Sequence, residues 1–552
     1  MIDHIKSEIQ CLRDDIGTVA ELFLCIQLLS NNDIKDDIRI RNAVKTNEAT
    51  TGHENMETMN VLFLVSDDIR PQMNCFKGRY YPNPRSNLQM HTPNIDYLAR
   101  KSIVFTQAYV QYAVCGPSRS SYMTGRRPDK TQIWNLKTYW RETGGNFTTL
   151  PQYFKEHGYI TAAVGKIYHP GNSSNDQDPP SWTIPYQPIE NYYNTKESWK
   201  AVPRSTRKGQ HFLVDEEVAN ATKALLRTFA ANAKTKKQHF FIAAGFYKPH
   251  MPLVCGEEFF EHYELNQVDL PEYGYLTQGY PESAYYPSDE FMGRPDLAKY
   301  NFTGAMNETF PDEVIRMLRR AYFACVSQVD SLLGDVLREL ENLGLADSTI
   351  ISFIGDHGFH LGENGLWGKH TNFHYSTRAP MMIRIPGRTD KGIRSDSLVE
   401  FVDIYSTIVE AAGLGTITTC PRDSSMIRVC SDGKSLLPLI DNPYETHKDA
   451  VFSQLRAFKD INGMHYSIRT DRYLYSEVVP FNRTPNEDGS YRYDILWEAS
   501  AAVQLYDLTR DPDERINIVD NRQNLHTRAT LSRQLHKSIE SFASLDNVKV
   551  LI

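Results

Sequence analysis

The chain has 552 residues, with 60 Lys and Arg against 68 Asp and Glu, a formal net charge of −8, and 41% hydrophobic against 23% charged residues. That length accommodates one large domain plus a smaller one, and the composition is that of a globular protein. The acidic balance excludes a general nucleic-acid binder, which carries a basic face; no window offers the ~20 apolar residues of a membrane span; and eight cysteines are too few for a disulfide scaffold.

Residues 1–59 stand apart. The apolar run VAELFLCIQLL (19–29) contains Glu21 and follows no basic segment, which makes it a poor secretory signal, and residues 30–59 are polar. They are expected to be an extension, disordered or an atypical targeting segment. NVLFLVSDD (60–68) is a near-continuous apolar run ending in two aspartates, the pattern of a strand buried on both faces of a parallel sheet. TAAVGK (161–166), HFFIAAGF (239–246) and STIISFIGDHG (348–358) repeat it. Residues 312–344 carry apolar side chains at helical spacing, with Gly344 as a C-cap. Strands alternating with helices predict an α/β fold with a mostly parallel sheet. From about residue 445, short alternating runs such as MHYSIRTDRYLYSEVV predict a small antiparallel sheet, closed by a helix near 520–545. The expected division is a domain at 60–445 and a C-terminal subdomain at 446–552.

Six N-x-[ST] sequons, at Asn146, Asn172, Asn220, Asn301, Asn307 and Asn482, point to a glycosylated protein of the secretory pathway. Cys420 and Cys430 bracket a short polar loop, which suits a local disulfide.

In open parallel sheets ligands bind beyond the carboxyl ends of the strands. The four predicted strands are followed there by Asp67 and Asp68, by Lys166 and His169, by Lys248 and His250, and by Asp356 and His357, with Lys369 in a glycine-punctuated loop. Three carboxylates from separate segments suit a hard divalent cation, Ca²⁺ or Mg²⁺. Cationic side chains beside them suit an anion bound against that cation, and the histidines can move protons near neutral pH. A tetrahedral oxyanion undergoing ester cleavage is the implied substrate. His357 is the awkward member, because imidazole is a poor ligand for Ca²⁺.

AVCGPSRSSYMTGR (113–126) places Cys115 at the start of a predicted helix, where free N–H groups and the dipole favour an anion. Arg119 lies one turn further in. On the residues alone Cys115 is a packed thiol, or a thiolate nucleophile with its pKa depressed by the helix. A third reading comes from a resemblance. Residues 115–119 match the C-x-P-S-R signature of type I sulfatases, Thr124-Gly125-Arg126 extends it, and GYITAAVGKIYH (158–169) resembles the family's second signature. Tyr122 departs from the usual aliphatic residue, Phe or Trp.

The resemblance implies an alkaline-phosphatase-like (sulfatase) fold: a large, mostly parallel sheet flanked by helices, plus a C-terminal subdomain with an antiparallel sheet. It implies conversion of Cys115 to Cα-formylglycine by a formylglycine-generating enzyme. It further implies Ca²⁺ held by Asp67, Asp68, Asp356, His357 and residue 115, with Arg119, Lys166 and Lys369 on the sulfuryl oxygens. His250 would assist the leaving oxygen and His169 would take the proton that releases sulfate. FYKPHMP, YFACVSQVD, GMHYSIRT and the C-x9-C loop resemble the branch that cleaves 2-O-sulfate from non-reducing-end L-iduronate in heparan and dermatan sulfate, in the lysosome or after secretion. Gly355, Phe359 and His360 depart from that branch, Phe359 replacing a tryptophan, and its second disulfide has no cysteines near 190–215. Other readings remain: a sulfatase for another sulfate ester, a phosphatase of the related superfamily with a Ser or Thr nucleophile and two zinc ions, or an inactive binding protein on the same scaffold.

Overall fold

The computed structural model describes residues 58–77, 89–189, 192–207, 212–458 and 461–549; all but the last two residues of the extension expected at 1–59 lie outside them. The main sheet has seven strands: β1 (Asn60–Asp67), β2 (Ile103–Tyr109), β3 (Ile160–Gly165), β4 (Phe240–Pro249), β5 (Thr349–Gly355), β6 (Met381–Arg384) and β7 (Ile393–Glu400). Their order is β7–β2–β6–β5–β1–β4–β3. Every pairing is parallel except those β6 makes with β2 and β5.

The four apolar runs are β1, β3, β4 and β5, which are neighbours in the sheet, so their carboxyl ends share one edge. All eight residues of β1 are buried, as its sequence predicts. Val61, Phe63 and Val65 of β1 pack with Tyr122 of helix α1 (Cys115–Thr124) and with Ile404 and Ile408 of a later helix (Asp403–Ala411), leaving Leu62 and Leu64 to the other face. Helices α2 (Val214–Lys234) and α3 (Asp312–Asn342) pack on β4 and on each other. Gly344, at φ 65°, ends α3 as expected.

The C-terminal region forms an antiparallel sheet of β8 (Val451–Arg456), β9 (Gly463–Arg469), β10 (Tyr473–Pro485), β11 (Tyr491–Ile495) and β12 (Ala502–Asp507). A closing helix, Leu525–Phe542, lays Leu531, Leu535 and Ile539 on it. The same core takes in Tyr112, Val114 and Trp134, so this sheet buttresses the loop that delivers Cys115. Cys420 and Cys430 are disulfide-bonded, with Cα atoms 4.9 Å apart. The loop they close receives Arg126, whose Nη1 donates to Ser424 Oγ at 2.7 Å and whose guanidinium lies over Phe147. Among the described residues no helix is long and apolar enough to cross a membrane.

Candidate active site

Each site residue is delivered by a feature of the local chain. Asp67 ends β1, and Asp68 then turns back at φ 59°, a conformation that costs an L-residue about 1 kcal/mol or more. Two buried hydrogen bonds hold it: Tyr322 Oη donates to the Asp68 carbonyl at 2.7 Å, and the Asp68 N–H donates to Asp356 Oδ1 at 3.0 Å. At the end of β3, Gly165 passes so close to β4 that a Cβ there would sit 2.1 Å from the Gly245 carbonyl. Lys166 N–H donates to that carbonyl at 2.9 Å, and its side chain turns onto Asp67. Cys115 is the first residue of α1, whose N-terminus faces the carboxylates and supplies its positive end to them.

All ten residues anticipated from the sequence meet at this edge. Cys115 Sγ lies 3.4 Å from Asp67 Oδ1, 3.4 Å from His357 Nε2 and 3.6 Å from Lys369 Nζ. One ligand atom each from Asp67, Cys115, Asp356 and His357 falls within 4.8 Å of the others, and a second such group joins Asp68, Cys115 and His250. Arg119 is wholly buried: Nε donates to Asp356 Oδ2 at 2.9 Å, Nη2 to Asp67 Oδ1 at 3.1 Å, and Nη1 to the carbonyls of Lys166 and Ile167. It braces the carboxylates rather than opening toward a ligand. Lys248, which the strand-end pattern also marks, is structural. Its Nζ donates to the carbonyls of His250 and Pro252 at 2.8 and 2.7 Å, fixing the loop that carries His250.

The residues fit a divalent cation. Asp67, Asp68 and Asp356 are fully buried, and among the described residues Asp68 Oδ2 has no hydrogen-bond partner. Burial raises the Asp68 pKa well above the carboxylate range; Lys369 opposes this, while Glu290, Asp67 and Asp356 add to it. A carboxylate so placed lacks positive charge, which a cation would supply. Burial also opposes ionisation of Asp67, but Lys166, His250 and Arg119 together hold its pKa well below the usual range. His357 Nδ1 lies 2.9 Å from the Gly358 carbonyl, so that nitrogen carries the proton and the Nε2 lone pair faces the cluster, as a ligand requires. This gives the imidazole a physical place in the site. Cys115 fits less well as a thiol: sulfur is a soft donor among hard oxygens. Burial, then the charge of Asp67, also raises its pKa well above the thiol range, so it is a poor thiolate nucleophile. An oxygen-bearing side chain at position 115 would resolve both mismatches.

A cavity of about 280 Å³ opens beside Lys166, His169 and His250, with Tyr192, Tyr193 and Tyr247 on its other walls. His169 Nδ1 lies 3.0 Å from the Pro170 carbonyl, which leaves Nε2 as the acceptor; burial and then Lys166 lower its pKa to about 4. One site residue escaped the sequence reading. Glu290 Oε1 pairs with Lys369 Nζ at 2.8 Å, yet it lies in a single 3-10 turn with no strand or motif to mark it. The departures at 355, 359 and 360 are buried packing positions. Phe359 stacks on Tyr322 with centroids 5.8 Å apart, His360 Nε2 pairs with Thr371 Oγ1 at 3.0 Å, and a Cβ on Gly355 would meet the Ile69 carbonyl at 2.7 Å. Tyr122 is likewise a core side chain, against Phe63 and Phe401.

The comparisons with known proteins agree with this geometry. The sulfatase family model matches residues 59–414, and a model of the N-sulphoglucosamine sulphohydrolase C-terminal region matches 362–541. The chain belongs to the sulfatase family and is a sulfuric ester hydrolase. Among its relatives are the iduronate 2-sulfatases of Mus musculus and Homo sapiens, each 34% identical over 540 residues, covering 86% of this chain and 93% of the relative. Among solved structures, a protein in complex with its substrate D-glucosamine-2-N,6-O-disulfate superposes with a TM-score of 0.65 at 19% identity, over 88% of this chain and 98% of that one, a likeness of fold.

Proposed function

We propose that the chain removes the 2-O-sulfate of L-iduronate at the non-reducing end of heparan sulfate and dermatan sulfate, using Ca²⁺ and a formylglycine made from Cys115 by a formylglycine-generating enzyme. The observation that carries the substrate assignment is the 34% identity to iduronate 2-sulfatases along almost their whole length. The metal and the modification are supported by the orphaned Asp68 oxygen and by a buried, protonated thiol set among hard donors.

Asp67, Asp68, Asp356 and His357, with residue 115, would hold the cation, which supplies Lewis-acid polarisation of a sulfuryl oxygen when bound. Formylglycine at position 115 would supply hydroxyl oxygen, both as a nucleophile toward sulfur and as the group that gives up a proton on sulfate release. Arg119 fixes Asp67 and Asp356. Lys166 and Lys369 flank residue 115 and stabilise charge on the sulfuryl oxygens. His169, neutral and with Nε2 unprotonated, accepts the proton given up on sulfate release. His250, with Lys369, serves the departing sugar oxygen.

We assign residues 60–445 to the catalytic domain and 446–552 to a C-terminal subdomain, in keeping with the second sheet beginning at Val451. The asparagines of all six sequons are exposed, which supports glycosylation and a lysosomal or secreted location. The deciding experiment offers the purified enzyme disaccharides ending in 2-sulfo-iduronate, 2-sulfo-glucuronate or 6-sulfo-glucosamine. Release of sulfate from the first alone is expected; release from either of the others, with the first untouched, refutes the assignment.

A further inference from the structure

Lys369 stands between two carboxylates. Its Nζ lies 2.7 Å from Asp68 Oδ1 and 2.8 Å from Glu290 Oε1. Asp68 belongs to the cation cluster and Glu290 does not. Glu290 comes from a single 3-10 turn, Asp289–Phe291. Phe291 is fully buried, its ring centroid 5.2 Å from Trp367 and 6.2 Å from Phe359, and Trp367 N–H donates to Ser288 Oγ at 3.2 Å. The turn is therefore pinned to the short strand Trp367–Gly368 that immediately precedes Lys369. Burial works against ionisation of Glu290, but Lys369, then His250, brings its pKa down to about 2, so it faces Lys369 as an anion. Among the described residues its buried Oε2 has no hydrogen-bond partner, so the side-chain bonding of Glu290 there runs through Lys369.

A lysine side chain has four rotatable bonds and no geometric preference of its own. Once a cation draws on the Asp68 carboxylate, the attraction of that carboxylate for Lys369 weakens, and a second anion is needed to keep the ammonium in place. We propose that Glu290 is a positioning residue that holds Lys369 against the sulfuryl oxygens after the cation has taken Asp68. The proposal rests on the sulfatase reading of the site but not on which sugar is cleaved.

The sign of one measurement separates this role from a bystander's. Removing a bystander carboxylate beside an anion site strengthens anion binding, whereas removing the anchor of the lysine weakens it. Inorganic sulfate is titrated calorimetrically, with calcium chloride present, into the wild type, Glu290→Gln, Lys369→Met and the double variant, and kcat and KM are read on an aryl sulfate. The expected result is sulfate binding about tenfold weaker in Glu290→Gln, a fall of roughly 10–100-fold in kcat/KM, and a double variant no worse than Lys369→Met alone. Sulfate binding in Glu290→Gln as tight as in the wild type or tighter, or losses that add in the double variant, overturns the proposal. Should Glu290→Gln not fold, Glu290→Asp, which keeps the charge but withdraws it by one methylene, enters the same cycle with the same two outcomes. Sulfate binding does not depend on the sugar, so a failed iduronate assignment leaves this test readable.

Discussion

His357 Nε2 lies 3.4 Å from Cys115 Sγ across 242 residues of chain. The same sulfur is 3.4 Å from Asp67 Oδ1, which places a soft atom in the middle of a hard-donor cluster. This relationship is what makes the cysteine look like a precursor rather than a finished catalytic group.

Residue 115 is therefore expected to be formylglycine in active enzyme. Mass spectrometry of the tryptic peptide 102–119 from cells containing the modifying enzyme should show the aldehyde, and an active preparation containing only cysteine refutes the mechanism. Cys115→Ala should lose turnover by at least about a thousandfold. Its circular dichroism and thermal midpoint should stay near wild type, since Cys115 fills little of the core.

Chelation should both inactivate and destabilise. Without a cation, the buried carboxylates of Asp67, Asp68 and Asp356 rely for balance on side chains such as Arg119, Lys166 and Lys369. A site saturated at a hundred times its Kd contributes roughly 3 kcal/mol of stability. Calorimetry should show the midpoint fall on treatment with EDTA and recover with Ca²⁺, and Asp356→Asn should abolish that response. An unchanged midpoint in chelated wild-type protein counts against a bound cation.

The pH profile should report His169. Burial and Lys166 lower its pKa from the ordinary 6.5 to about 4, so the neutral ring that accepts a proton persists down to about pH 4 and is lost below it. The acid limb of kcat should fall with an apparent pKa near 4 and should disappear from the residual activity of His169→Gln. A limb near 6.5 would mean that the ring is solvated and not held as the structure places it.

Glu514 should govern part of the acid stability. It is fully buried, pairs with Arg469 of β9 and accepts from the His374 N–H at 3.1 Å. Burial opposes its charge, but Arg469 and then His374 bring its pKa from the ordinary 4.5 to about 2. A depressed carboxylate pKa contributes stability that is complete above about pH 4.5 and is lost as pH falls through about 2. Glu514→Gln should cost about 3–5 kcal/mol near neutral pH, since it leaves Arg469 buried without its partner, and should flatten the stability curve between pH 4.5 and 2. Urea titrations at several pH values read both effects.

Four strands of the main sheet could be read from sequence because each is buried along nearly its whole length, β3 at the edge of the sheet included, which demands a continuous apolar run. The others gave weaker signals. β6 has only four residues, and β7 alternates buried with exposed side chains near one edge of the sheet. The gathering of the ten candidate residues was legible for a related reason. Parallel strands end along one edge, so the residues just past their ends must gather there; the signature around Cys115 marked that residue and Arg119 on α1, and Lys369 comes from a glycine-punctuated loop.

Sequence alone determined the class of the protein: a mostly parallel α/β scaffold and a sulfatase signature around a marked cysteine. The fold decided what each charge does. Arg119 reads in sequence as a ligand for sulfate, but its burial commits its donors to two carboxylates and two carbonyls. Glu290 has no signature, and it matters because Phe291 and Ser288 dock its turn beside Lys369. The physical reason is range. Strand periodicity and helix capping are set by neighbours along the chain, whereas the partner of a buried charge is whichever opposite charge packing brings within about 3 Å.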